Sequence, residues 1–118
     1  TSSVFGDLSS TCIGTITPTA TSSKILITFS TCTYGPVNSW TMALFKSVGG
    51  GGYSQLAADF AEIEGASNSV SGTLIQYLDS PSTTSELIYR PYWKTSGSTL
   101  TIQQSSTQAA LQVWEILA

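Results

Sequence analysis

Seven acidic side chains and no histidine define the chemistry open to this chain. Without an imidazole base, catalytic triads that use histidine and HExxH zinc sites are excluded, and two cysteines cannot complete a structural zinc site. Asp59, Glu62 and Glu64 are clustered acids that could ligate calcium or act as an acid/base pair in sugar hydrolysis. No EF-hand spacing is present, and a solvated acidic loop is the simpler interpretation. We therefore predict no catalytic residue, no metal and no cofactor, with these three acids as weak calcium candidates.

Two further acids stand where a structural role is expected. Asp79 precedes Pro81 in a turn, so its carboxylate is expected to accept backbone N–H groups rather than to act as a catalytic acid. Glu115 lies in an otherwise apolar segment. It either faces solvent at a sheet edge or pairs with a cation, for which Arg90 and Lys94 are the candidates.

Aromatic side chains are the remaining binding candidates, because Tyr and Trp stack on sugar rings and dominate protein recognition sites. Tyr34 and Tyr53 are expected in loops, and Trp40 is expected to begin a strand beside the first loop. These three are the predicted ligand-binding residues, although ordinary packing is the competing interpretation. Four mid-strand aromatics are predicted to lie in the core or at a subunit interface: Tyr77, Tyr89, Trp93 and Trp114.

The elements that position these residues are short strands. Apolar and polar residues alternate in several runs, which is the period of a strand with one buried face. The predicted strands are Cys12–Thr17, Lys24–Thr33, Trp40–Ser47, Ser69–Leu78, Glu86–Lys94, Thr99–Gln104 and Ala109–Leu117. Tyr53–Glu64 is interpreted as a short strand with an irregular loop, and a helical turn is the alternative. About eight strands with regular turn signals indicate a sandwich or barrel.

Several local signals refine this pattern. If the first two strands form a hairpin around Pro18–Ser23, Cys12 and Cys32 lie near its open end. We predict two thiols, as expected of a protein made in a reducing cytoplasm, with a disulfide as the alternative. Gly49–Gly52 is expected to be a surface loop. Pro91 cannot donate to a ladder, so its strand is expected to be an edge or to carry a bulge.

Composition narrows the class of protein. A chain of 118 residues forms one domain, and 20 Ser with 17 Thr suit the outer strands and turns of a packed β domain. Charged residues make up 9% of the chain and the net charge is −3, with no basic run for nucleic acid. No apolar stretch has membrane-spanning length. We predict neither nucleic-acid binding nor membrane insertion.

Several strands carry apolar residues on both faces. Leu74 and Leu78 oppose Tyr77, and Leu111 opposes Trp114. An isolated two-sheet sandwich buries only one face of each sheet, so the other face needs a cover. Each large side chain removed from water is worth about 1.5–3 kcal/mol. The pattern therefore favours an oligomer.

Three segments resemble the C-terminal domains of phage tail-fibre and other virion structural proteins. They are YLDSPSTTS followed by ELIYRPYW, TITPTATSSKILITFS near the start, and LQVWEIL near the end. These are scaffold motifs rather than reactive ones. The resemblance implies a homotrimeric jelly-roll similar to the tumour necrosis factor and complement globular-head fold.

The function that this resemblance implies is structural. We expect a virion domain at the tip of a tail fibre or spike, made in the host cytoplasm, with a lead-in from an upstream segment at residues 1–10 and a jelly-roll domain at residues 11–118. Its expected partners are further copies of itself, upstream fibre or capsid segments, and a host-surface glycan or protein. One alternative is a purely architectural capsid-decoration or trimer-nucleating domain. Another is a secreted lectin-like or complement-like module, which predicts a disulfide between Cys12 and Cys32; an enzyme that degrades glycans is the third.

Overall fold

The chain is all-β in the part that the computed structural model describes, namely residues 2–7, 12–35, 38–56, 61–65, 69–95, 101–102 and 110–117. Its strands are β1 (Ser2–Asp7), β2 (Gly14–Ile16), β3 (Lys24–Gly35), β4 (Asn38–Val48), β5 (Ser54–Gln55), β6 (Ala61–Gly65), β7 (Ser69–Asp79), β8 (Leu87–Thr95), β9 (Thr101–Ile102) and β10 (Ala110–Ile116). No helix occurs among these residues. The all-β prediction is confirmed for these residues, which form ten strands where about eight were expected in the chain.

Two antiparallel sheets make up the fold. In the six-stranded sheet, β8 and β4 pair along nine residues, from Trp40 opposite Thr95 to Val48 opposite Leu87. Strands β1 and β2 pair with β8, while β5 and β6 pair with β4. In the four-stranded sheet, β3 pairs with β7 and also with β9 and β10. Part of the predicted lead-in therefore belongs to the sandwich, since it supplies β1.

The core lies between the two sheets. Alternate residues of the central strands point inward, as period-two patterning requires. The fully buried cluster combines Ile25, Ile27, Phe29 and Ile75 of the four-stranded sheet with Met42, Leu44, Leu87 and Tyr89 of the six-stranded sheet. Removing each of these side chains from water is worth about 1.5–3 kcal/mol, so the contact between the sheets is the main source of stability. The two sheets thus form a β-sandwich.

The predicted hairpin between the first two strands is wrong. Strand β2 pairs with β8 in one sheet, whereas β3 belongs to the other sheet. The turn between them, where the N–H of Ser23 donates to the carbonyl of Ala20 at 3.1 Å, therefore carries the chain across the sandwich. The turn after Asp79 does the same, because β7 and β8 lie in different sheets.

Pro91 does not mark an edge strand, because β8 lies inside its sheet. Its partner across β4 is Leu44, whose carbonyl accepts the N–H of Leu56 at 2.9 Å and so points away from β8. In an antiparallel pair, the N–H and C=O of one residue share a side, so Leu44 and Pro91 form a non-hydrogen-bonded pair. The nitrogen of Pro91 faces the interval between β2, which begins opposite Tyr89, and β1, which ends opposite Tyr92. Proline is tolerated here because the β4–β8 ladder needs no donor at this position.

Candidate functional site: an aromatic surface and an open sheet face

The three predicted ligand-binding residues lie in different settings. Tyr34 is not in a loop, because its backbone lies within β3 and pairs with Val70. Trp40 lies in β4, opposite Thr95, and only its backbone is described. Tyr53 follows the glycine run as predicted and is half-buried. Of the three, only Tyr53 has a described side-chain environment.

Tyr53 belongs to a cluster on the outer face of the six-stranded sheet. The guanidinium carbon of Arg90 lies 4.9 Å from the centre of the Tyr53 ring, a cation–π distance. Tyr92 lies 6.1 Å from Tyr53 between ring centroids and stacks on Phe45 at 4.1 Å, with an interplanar angle of 15°. We call Phe45, Tyr53, Arg90 and Tyr92 the aromatic surface.

The aromatic surface covers its own sheet. Ala43 is fully buried and Ser47 is 2% exposed, although both alternate with the core-facing residues of β4 and so point outward. The outward residues of β8 between Ile88 and Lys94 are all half-buried. The chain therefore shields the described part of this face on β4 and β8 with its own side chains.

A tight turn just before Tyr53 positions it on this face. The N–H of Gly51 donates to the carbonyl of Val48 at 3.0 Å, and the Ser47 hydroxyl donates to the carbonyl of Gly51 at 2.7 Å. Gly49 and Gly50 have φ values of 57° and 78°, and this pair of positive angles is the signature of a type I′ turn that glycine favours. The predicted surface loop is thus a hydrogen-bonded turn with no side chains of its own beside Tyr53.

The outer face of the four-stranded sheet is different, because its apolar side chains stay exposed. Leu26 of β3 is opposite both Leu78 of β7 and Trp114 of β10, which places three large side chains in one row across the sheet. The exposed hydrophobic residues on and beside this face are Leu74 at 71%, Leu78 at 46%, Trp114 at 45%, Ile116 at 43% and Leu117 at 70%. Lys24 is the only charged residue at the outward positions of β3 (24–30), β7 (74–78) and β10 (110–116). We call this surface the open face.

The predicted interface aromatics divide between the two sides of the sheets. Trp114 lies on the open face. Tyr89 is fully buried in the chain's own core, which is the first of the two places predicted for it, so it has no surface to offer a partner. Tyr77 packs against the core cluster and Trp93 is half-buried opposite Met42. Only Trp114 has the exposure that an interface residue needs.

The turn role predicted for Asp79 is wrong. This carboxylate is 6% exposed and its Oδ2 accepts hydrogen bonds from Lys46 Nζ at 2.8 Å and from the Tyr89 hydroxyl at 2.8 Å. Burial of Tyr89, together with the hydrogen bond to Asp79 and its negative charge, raises the pKa of the phenol well above its ordinary value. We call these three residues the inter-sheet cluster, because Asp79 lies in one sheet and both donors lie in the other.

The described contacts of Glu115 are with Thr19, and not with Arg90 or Lys94, the two cations predicted as its partners. Its Oε1 accepts the backbone N–H of Thr19 at 2.6 Å and the Thr19 hydroxyl at 2.8 Å. The nearby Ser23 side chain and the two hydrogen bonds from Thr19 lower the pKa of the carboxyl. Glu115 thus fastens the last strand to the turn that crosses between the sheets.

The remaining acid and cysteine predictions lie mostly outside the described residues. Asp59 is outside them, and only the backbones of Glu62 and Glu64 are described, in β6 opposite Thr41 and Ser39. Among the described residues, no three acids or cysteines come together as a metal site would require. Cys12 packs against the core, but only the backbone of Cys32 is described, so the choice between thiols and a disulfide stays a prediction.

Comparison with known proteins adds no family. No protein-family model matches the chain, and neither the curated proteins nor the solved structures contain a match. No helix in the described ranges combines the length and apolar character needed to cross a membrane. The two surfaces and the sequence resemblance are therefore the features that bear on function.

Proposed function

We propose that this chain is a structural domain of a virus particle, a homotrimeric jelly-roll at the end of a tail fibre or spike that presents surface residues to a host. The open face carries the assembly part of this proposal. Its row of exposed Trp114, half-buried Leu26 and exposed Leu78 is the kind of apolar, charge-poor centre found in subunit interfaces. The sequence resemblance supplies the trimer and the virion.

A second copy of the same chain is the occupant that suits the open face. Every acidic residue in the described part lies off this face, and Lys24 is its only cation, so two copies meet without opposed like charges. The other sheet does not compete for this role, because the aromatic surface already shields it. The outward apolar residues of β4 are covered by the chain itself and need no partner. The outward apolar residues of β7 and β10 are exposed, and a partner would cover them.

Catalysis is not part of the proposal. The inter-sheet cluster combines an amine, a carboxylate and a phenol, but Asp79 is 6% exposed and Tyr89 is fully buried. Tyr89 therefore has no surface that a substrate could contact, and Asp79 has very little. The cluster therefore supports a structural role.

Light scattering at several concentrations tests the assembly. We expect a mass three times the 12.4 kDa of the chain, and we expect Trp114→Lys and Leu74→Lys to give folded monomers, because a charge in a buried contact is costly. Thr84→Lys, an exposed change in the turn before β8, is the matched control and should leave the trimer intact. A folded wild-type monomer at all concentrations would refute the proposal.

Two alternatives have their own tests. A purely architectural domain assembles in the same way but adsorbs to no host glycan or protein. A secreted lectin-like or complement-like module predicts a disulfide between Cys12 and Cys32, which reduction followed by thiol alkylation would reveal as a change in intact mass. Two alkylated cysteines without prior reduction would exclude that alternative.

A further inference from the structure

We infer that the aromatic surface is a saccharide-binding site in which the Tyr53 ring stacks on a pyranose. This inference deepens the attachment part of the proposed function and rests on it. The aromatic surface offers ring faces beside hydrogen-bonding groups, and a pyranose presents both an apolar C–H face and hydroxyls. This combination is the usual composition of a small-ligand site with a few convergent polar groups.

Tyr53 is held in place, which favours binding. Arg90 lies over one side of its ring at 4.9 Å, and the adjoining Tyr92 is itself stacked on Phe45. A ring fixed in this way loses little conformational freedom when a ligand stacks on it. The preceding type I′ turn also fixes the backbone that carries Tyr53.

Polar neighbours complete the proposed site. Gln55 is exposed and is opposite Phe45 in the β4–β5 pair, so it shares the outer face with the aromatic surface. Its amide can both donate and accept hydrogen bonds, as sugar hydroxyls require. Ser54 lies between Gln55 and Tyr53, and strand alternation directs its side chain to the opposite face.

The extent of the surface favours a saccharide over a protein partner. Standard protein interfaces bury about 800 Å² on each partner around a desolvated centre. The aromatic surface consists of four half-buried residues, in which the rings of Phe45 and Tyr53 lie 4.1 Å and 6.1 Å from that of Tyr92. That is the footprint of one or two sugar rings.

The test uses the purified whole chain and a printed array of neutral hexose and uronic-acid oligosaccharides, followed by calorimetric titration of the strongest hit. We expect a hit in at least one of these arms. Tyr53→Ala should weaken it at least about tenfold through loss of stacking, and Gln55→Ala by a few-fold. Tyr53→Phe should retain most of the affinity, and Ser54→Ala is the matched control that should retain all of it.

The outcomes separate this inference from the proposed function. A chain that forms trimers but retains no saccharide in either arm, or that captures only a protein, overturns the saccharide site and leaves assembly intact. A saccharide bound equally well by Tyr53→Ala also overturns it. Thermal unfolding of each variant identifies any loss of binding caused by misfolding. If Tyr53→Ala is unstable, Tyr53→Leu replaces it, because leucine keeps apolar bulk at this position but has no aromatic face.

Discussion

Lys46 Nζ lies 2.8 Å from Oδ2 of Asp79, and this ion pair joins the two sheets of the sandwich. Lys46 comes from β4 and Asp79 ends β7. The lysine side chain is 19% exposed and that of the aspartate 9%, so the pair is only partly shielded from water. Tyr89 donates to the same carboxylate oxygen from the neighbouring strand β8. One oxygen thus fixes the relative position of three strands.

Removing the carboxylate should destabilise the fold. Asp79→Ala leaves the Lys46 ammonium without this partner and the Tyr89 hydroxyl without its acceptor, and breaking a buried pair in this way costs about 3 kcal/mol. Replacing both members of the pair with Lys46→Met and Asp79→Leu should cost much less, because no charge is then left in a shielded place. Urea unfolding measures both values. If the double variant is the less stable of the two, the ion pair is not the reason for the loss.

The loss of folding stability at alkaline pH should depend on the Tyr89 hydroxyl. Because its pKa is raised, the native state holds the proton more tightly than the unfolded chain, so stability is retained below about pH 10 and falls as pH rises beyond it. The slope from one such proton is about 1.4 kcal/mol per pH unit. Tyr89→Phe removes this pH dependence, and near neutral pH it lowers the free energy of unfolding by about 1 kcal/mol because the hydrogen bond is lost. Unfolding at pH 9, 10 and 11 should show the flatter profile for the variant, and parallel profiles would contradict the assignment.

Alternation in the sequence was enough to predict most strands, but not their partners. Strands β3, β4, β7, β8 and β10 lie within a few residues of their predicted bounds, because a period of two is a local property. The turns after Ile16 and Asp79 carry local signals for a reversal, and those signals are the same whether the chain stays in its sheet or crosses to the other. Pairing is decided by core packing between distant segments.

The inter-sheet cluster could have been found from the same alternation. Asp79 shares its strand face with Ile75 and Tyr77, and Lys46 shares its face with Met42 and Leu44. Opposite charges at core-facing positions need each other, because an isolated charge is costly to bury. The turn residues after Asp79 suggested a local role instead. The aromatic surface was harder to predict from the sequence, because Tyr53 and Arg90 come together only when the segments that carry them both pair with β4.

Glu115 should titrate below its ordinary range. The nearby Ser23 side chain and the hydrogen bonds from the N–H and hydroxyl of Thr19 favour the ionised carboxylate, so the pKa is lowered. Its contribution to stability is therefore present above the unfolded-state pKa and is lost as pH falls through the folded one. Carboxyl-carbon NMR should show a low midpoint, and Thr19→Ala should raise it part of the way because the backbone donor stays. A midpoint that Thr19→Ala does not move would contradict the contact.

Packing at the side of the sandwich gives a matched pair of glycine variants. A Cβ on Gly14 of β2 would meet Leu111 Cδ2 at 2.6 Å and Val113 Cγ1 at 2.7 Å, both on β10 of the other sheet. Val113 is β-branched and cannot swing aside easily, so Gly14→Ala should destabilise by about 1–3 kcal/mol through overpacking. Gly72 of β7 is the control, since a Cβ there meets nothing within 4 Å.

Gly72→Ala should be neutral or stabilising by about 0.5 kcal/mol, because alanine restricts the unfolded chain. Thermal unfolding of the two variants measures the difference directly. The comparison isolates the contact between β2 and β10, where one strand from each sheet closes the side of the sandwich. Equal stability of the two variants would mean that β10 can move away from β2. The contact of Glu115 with Thr19 would then be the main attachment of β10.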